Sequence, residues 1–142
     1  MSSITRAVGR VETVVRLSGA DTGGAYALVE QRHPVGRGAP LHFHRFEAET
    51  LLVVKGNYSV LVDGEVQRLG PGESVTVQPG VAHAFANKGD DVACLLILAV
   101  PAGIEGYFEA MSELDWSEAK VKDRLGALEA RFGIVPVQND HD

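Results

Sequence analysis

Between residues 11 and 100, short apolar stretches alternate with turn residues, which is the pattern of brief β-strands. Val11–Leu17 alternates loosely and is rich in valine, and residues 26–32 read as a second strand after the turn residues Asp21 to Gly24. The segment 34–40 is punctuated by Gly and Pro and reads as a loop. Further strands are predicted over 41–44, 51–55, Tyr58–Val62, 66–69, Ser74–Val77, 83–86 and 92–100. Asp63-Gly64 joins two of them as a hairpin turn of the primed type. Gly70-Pro71-Gly72 and Pro79-Gly80 mark two more turns. Regular short strands separated by turns predict an all-β sandwich or barrel.

The period changes after Pro101. Residues 103–114 have helical spacing, with Ile104, Tyr107, Phe108 and Met111 on one face. Ser117 is placed to cap a second helix ending near Phe132, in which Val121, Leu125, Leu128 and Phe132 form a one-sided apolar stripe. Gly133 suits a left-handed stop, and Pro136 follows. The polar tail 138–142 is expected to be disordered. The chain therefore reads as one domain over 1–142: a β-barrel over about 10–100 with C-terminal helices over about 103–133 packed on it.

Composition adds little and excludes some partners. Sixteen glycines in 142 residues fit many tight turns. The formal net charge is −6 and no Lys/Arg run stands out, so nucleic acid is not an expected partner. Cys94 is the single cysteine, and its place in an apolar run makes it a small buried hydrophobe. The opening MSSITRAVGR has no apolar stretch of the secretory kind, and the run 93–102 is too short to span a bilayer. A cytoplasmic protein without a membrane partner is the expectation.

His42, His44, Glu49 and His83 are the candidate chemistry. His42 and His44 are two apart, so on a strand both imidazoles point to one face. Glu49 begins the next strand after a short link, and His83 follows the Pro79-Gly80 turn that can deliver it to the same face. Imidazoles and a carboxylate suit first-row divalent ions. By itself the His-x-His pair is as compatible with hydrogen-bonded histidines as with a metal site.

The glycine spacing around these residues resembles that of the cupin family. Its first motif, G-x5-H-x-H-x4-E-x6-G, is met in full by Gly36, His42, His44, Glu49 and Gly56. Its second, G-x5-P-x-G-x2-H-x3-N, is met by Gly72, Gly80, His83 and Asn87, with Gln78 where the family has proline and Pro79 beside it. The resemblance implies a small antiparallel β-barrel, or jelly roll, holding one divalent transition metal (Fe, Ni, Mn, Co or Zn) on His42, His44, Glu49 and His83. It also implies a homodimer, in which the strands at 11–17 and 26–32 could pair between copies and hide sheet edges.

Within that family, the stretch from His42 to Thr50 and the stretch from Pro101 to Phe108 resemble small bacterial cupins related to quercetin 2,3-dioxygenase. This implies a dioxygenase acting on a small aromatic or enol substrate, with Glu49 as the base. A non-redox metal-dependent cyclase or isomerase, or a non-enzymatic small-molecule-binding cupin, are the alternatives, because one fold carries many reactions. If Glu49 faces inward, so do Leu51 and Val53, and Phe85 goes inward with His83, which predicts an apolar pocket. Tyr107, Phe108 and Met111 are read as packing residues that could also cover the barrel mouth. Glu47 is read as solvated or supporting a ligand, ahead of the alternatives of a second base or an alternative ligand, and Arg45 as its pair or solvent-facing. Lys55 is read as exposed, Asn87 as a turn-tying residue and Trp116 as a packing anchor. His33 and His141 have no partners at ligand spacing.

Overall fold

Buried and exposed residues alternate along most strands, and that alternation turns one face of each of two antiparallel sheets onto a shared core. The computed structural model describes residues 4–8 and 11–138. One sheet has six strands in the order β1 (Ile4–Val8), β2 (Val11–Leu17), β3 (Ala27–His33), β10 (Ala93–Val100), β5 (Ala48–Lys55) and β8 (Ser74–Val77). The other has five, in the order β11 (Ile134–Pro136), β4 (Gly38–His44), β9 (His83–Asn87), β6 (Tyr58–Val62) and β7 (Glu65–Leu69). The chain crosses repeatedly between the two sheets, as in a jelly roll. Val29, Leu51, Val53, Tyr58, Val60 and Leu95 fill the space between them, all at 0–1% exposure. This matches the inward direction expected of Leu51 and Val53.

Several boundaries differ from the sequence reading, each for a local reason. Residues 38–40 are the start of β4 rather than loop. The register between β4 and β9 is irregular between Ala39 and His42, and Pro40 lies in that irregularity, where no ladder hydrogen bond is demanded of it. β5 begins at Ala48, so Glu49 is within the strand. Asp63 and Gly64 have φ of 50° and 81°, the primed hairpin expected between β6 and β7. The strand β1 and the short helix α1 (Gly19–Thr22) were not legible in the pattern.

After the barrel come α2 (Ile104–Ser112) and α3 (Val121–Phe132). Ser117 does not cap α3. Its hydroxyl is donated to Asp115 Oδ1 at 2.6 Å, which builds a turn and delays the helix to Val121. Gly133 ends α3 in the left-handed region, as expected. Beyond it, β11 joins the edge of the five-stranded sheet, where Pro136 is tolerated because one side of the strand needs no partner. The inner faces of the helices form a second core of Ala99, Ile104, Tyr107 and Ile134, with Phe108, Met111, Leu125, Leu128 and Phe132 packed on it. Trp116 lies outside this packing and is 49% exposed, contrary to its reading as an anchor. The expected disorder of 138–142 falls mostly outside the described residues, as does His141.

The strands β2 and β3 both have two neighbours within the chain, so neither offers a free edge for pairing between copies as the sequence reading had it. Among the described residues, no helix is long and apolar enough to cross a membrane. Cys94 is buried, as expected.

Candidate metal centre

The three histidines come from the five-stranded sheet and the glutamate from the facing one. His42 and His44 lie on β4, His83 stands opposite His42 on β9, and Glu49 lies on β5 between Ala99 and Val77. Two turn glycines set the approach. Gly80, at φ 82°, donates its N–H to the His44 carbonyl at 2.8 Å, so the turn before β9 is tied to the ligand strand. Gly56, at φ 95°, lets β5 end against Ala93, where a Cβ would stand 2.5 Å from the Ala93 Cβ.

Each imidazole is held through Nδ1. His42 Nδ1 donates to the Pro40 carbonyl at 2.7 Å, and His83 Nδ1 to the Val81 carbonyl at 2.9 Å. His44 Nδ1 donates to Glu47 Oε1 at 2.8 Å. All three Nε2 atoms are thereby aimed at one point. His42 Nε2 is 3.1 Å from His44 Nε2, and Glu49 Oε1 is 3.0 Å from His44 Nε2 and 3.2 Å from His83 Nε2. Two ligands about 2.1 Å from one ion and at right angles are about 3 Å apart. The four ligand atoms lie within 4.8 Å of one another, so the cluster fits a single small divalent ion. Three neutral imidazoles and one carboxylate leave such a site at a net charge near +1.

Electrostatics show how the cluster is balanced without an ion. Burial alone would raise Glu49, but hydrogen bonds from His44 and His83 reverse this and hold it at about 2. Burial alone would lower His44, but its bonds to Glu47 and Glu49 prevail and raise it to about 9. His42 is lowered to about 4 by burial and by the neighbouring His83.

Glu47 is 4% exposed and pairs with a ligand, so of its readings the supporting one is correct. Arg45 is not its partner: it is exposed, with its guanidinium over the Phe43 ring. Asn87 ties the turn as expected, donating to the His33 and Asp91 carbonyls and accepting from Gly89 N–H. Lys55 is exposed. His33, which has no partners at ligand spacing, is 1% exposed and bonded to Tyr58 and Gln31.

The cluster opens into a cavity of about 480 Å³ lined by Phe85, Ile97, Tyr107, Phe108, Met111, Leu125 and Ile134, among others. Tyr107, Phe108 and Met111 thus both pack the helices and wall the cavity. Thr13 and Gln31 also line it and were not singled out from the sequence. The available signal was a polar residue at an inward position of an otherwise apolar alternation, Ala27, Val29, Gln31 on β3.

Residues 29–100, just over half of the chain, match the family described as Cupin domain. The chain is a cupin. Quercetin 2,3-dioxygenase of Bacillus subtilis is 30% identical to this cupin over 93 residues, 66% of the chain and 27% of that protein. Mannose-1-phosphate guanylyltransferase of Escherichia coli is 32% identical over 69 residues, 49% of the chain and 14% of that protein. The chain thus covers well under a third of the length of either relative. An RmlC-like cupin from Shewanella frigidimarina superposes with a TM-score of 0.62 at 21% identity, over 74% of this cupin and 89% of that chain. That likeness supports the barrel fold.

Proposed function

We propose that this cupin is a metal-dependent dioxygenase acting on a small aromatic or enol substrate of the flavonol kind. The observation that carries the reading is that His42, His44 and Glu49, of the cluster completed by His83, line a largely apolar cavity with aromatic residues around it. A cavity of about 480 Å³ suits a molecule of drug-like size, and planar rings fit among Phe85, Tyr107 and Phe108. The partial likeness to quercetin 2,3-dioxygenase of Bacillus subtilis supports the same substrate class.

His42, His44, Glu49 and His83 would hold a divalent ion, which would supply Lewis acidity to an enol or phenol oxygen beside it. The chain's own part falls to Glu49. Both histidine contacts to it use Oε1, which leaves Oε2 to receive a proton from the substrate. The carboxylate is held low while His44 is protonated. Phe108, Met111 and Leu125 meanwhile exclude water from the cavity wall.

The test is oxygen uptake by protein loaded in turn with Fe, Mn, Co and Ni, with quercetin as the substrate. The reading expects consumption of O₂ matched to loss of the flavonol. Absence of uptake with every metal contradicts it, and turnover of an enol with Zn under anaerobic conditions favours the non-redox cyclase or isomerase instead.

A further inference from the structure

Away from the metal cluster, two polar residues of the cavity wall are locked together. Thr13 and Gln31 line the cavity and are 3% and 7% exposed. They stand opposite each other across β2 and β3, and Gln31 stands opposite Leu95, which stands opposite Val53 on β5. Glu49 is four residues along β5 from Val53. At about 3.3 Å per residue this sets the Thr13–Gln31 row ~13 Å along the strands from the ligand row.

The direction of the hydrogen bonds here is set from the core outward. Tyr58 is fully buried, and its hydroxyl meets His33 Nδ1 at 2.8 Å. A buried O–H without an acceptor costs more than an unused lone pair, so Tyr58 donates and Nδ1 accepts. Burial lowers His33 to about 4, so the ring is neutral at pH 7 and its one proton is on Nε2. That N–H donates to Gln31 Oε1 at 3.1 Å. The amide is thereby turned so that its Nε2 donates to Thr13 Oγ1 at 3.2 Å. His33 Nδ1, Gln31 Oε1 and Thr13 Oγ1 each accept one of these bonds. The Thr13 hydroxyl hydrogen and the second amide hydrogen of Gln31 have no acceptor among the described residues.

We propose that Thr13 and Gln31 are a second ligand anchor, a fixed pair of hydrogen-bond donors that takes an acceptor oxygen at the far end of an elongated, mostly apolar ligand. A carbonyl, ether or phenolate oxygen meets this requirement and takes both free hydrogens, whereas a hydroxyl hydrogen pointed at the pair leaves both of them unpaired. A row separation of about 13 Å suits two or three linked rings better than one. Burying the two donors without such a partner is costly, so the anchor discriminates against ligands that lack the oxygen. Tyr58 and His33 are positioning residues: they touch no ligand but fix which end of the Gln31 amide faces the cavity. The inference rests on the cavity being the ligand site of the proposed function, and requires neither O₂ chemistry nor a flavonol.

The test uses a shape-matched pair, 4-acetylbiphenyl and 4-isopropylbiphenyl, titrated into metal-loaded wild type, Thr13→Val and Thr13→Ser. Affinity is followed by calorimetry and the Gln31 side-chain amide by ¹⁵N NMR. In the wild type the ketone is expected to bind ~5–10-fold tighter than the hydrocarbon, with a shift of the Gln31 amide signal on binding. Thr13→Val is expected to lose most of that preference and Thr13→Ser to keep it. Equal affinities in the wild type, a preference that survives Thr13→Val, an unmoved Gln31 signal, or binding of neither compound overturns the proposal. Oxygen uptake is not read, so failure of the dioxygenase reading leaves this result standing.

Discussion

His44 donates its Nδ1 proton to Glu47 at 2.8 Å while its Nε2 lies 3.0 Å from Glu49, so one imidazole is clamped between two carboxylates. Of the two, only Glu49 is in the cluster that could hold a metal ion. Glu47 sets the ring orientation and raises the electron density on Nε2. Replacing Glu47 with Ala is expected to lower metal affinity about 10–100-fold while all four ligands remain. A chelator-competition titration measures this, and an unchanged affinity would show that Glu47 does not tune the site.

The same clamp predicts proton release. His44 is raised to about 9 without a metal, so it is protonated at pH 7 and must lose that proton before Nε2 can be a ligand. Metal binding at pH 7 is expected to release about one proton per chain, and apparent affinity is expected to rise with pH until about 9. Calorimetric titrations in buffers of different ionisation enthalpy count the proton. A count of zero is the contrary result.

His33 gives a separate pH dependence, away from the metal. Its pKa falls from an ordinary 6.5 to about 4 in the fold because burial disfavours the charged ring. A depressed histidine contributes stability that is full above 6.5, where the unfolded chain is also neutral. That contribution is lost as pH falls from 6.5 through about 4, because only the unfolded chain takes up the proton. Its size is on the order of 3 kcal/mol at full effect. Urea unfolding at pH 7 and at pH 4.5 is expected to show a smaller acid loss in His33→Gln than in the wild type. Equal losses would place the acid sensitivity elsewhere.

Gly133 links the helices to the ligand strand. Its carbonyl accepts from Arg45 N–H at 2.8 Å, and the strand it opens sets Ile134 opposite His44 and Pro136 opposite His42. Gly133 has φ 72°, and a Cβ there would stand 2.6 Å from a Phe46 ring carbon. Gly133→Ala is expected to cost ~1–2 kcal/mol from the backbone alone, and Phe46 must swing away. A melting temperature within a degree of the wild type would contradict this.

The clustering of His42, His44, Glu49 and His83 was legible because it is written in local terms: a two-residue spacing on a strand, and glycines at the turns that aim it. The alternation of Leu51, Val53 and Phe85 likewise announces which way each strand faces. What escaped depends on contacts between residues far apart in the chain. Ser117 looks like a helix cap until Asp115 claims its hydroxyl. The three-residue β11 has no pattern of its own and forms only because β4 offers an edge. His33 has no partner at ligand spacing in the sequence, and only its pairing with Tyr58, 25 residues on, shows it to be part of the core. Thr13 and Gln31 form a site only once β2 and β3 are set side by side.

The most direct test of the account is the metal content of the protein purified without added metal, compared with His42→Ala, His44→Ala, Glu49→Ala and His83→Ala. About one divalent transition-metal ion per chain is expected in the wild type, with marked loss in each variant. Metal content that stays at the wild-type level in all four variants would contradict the assignment of these residues as the metal centre.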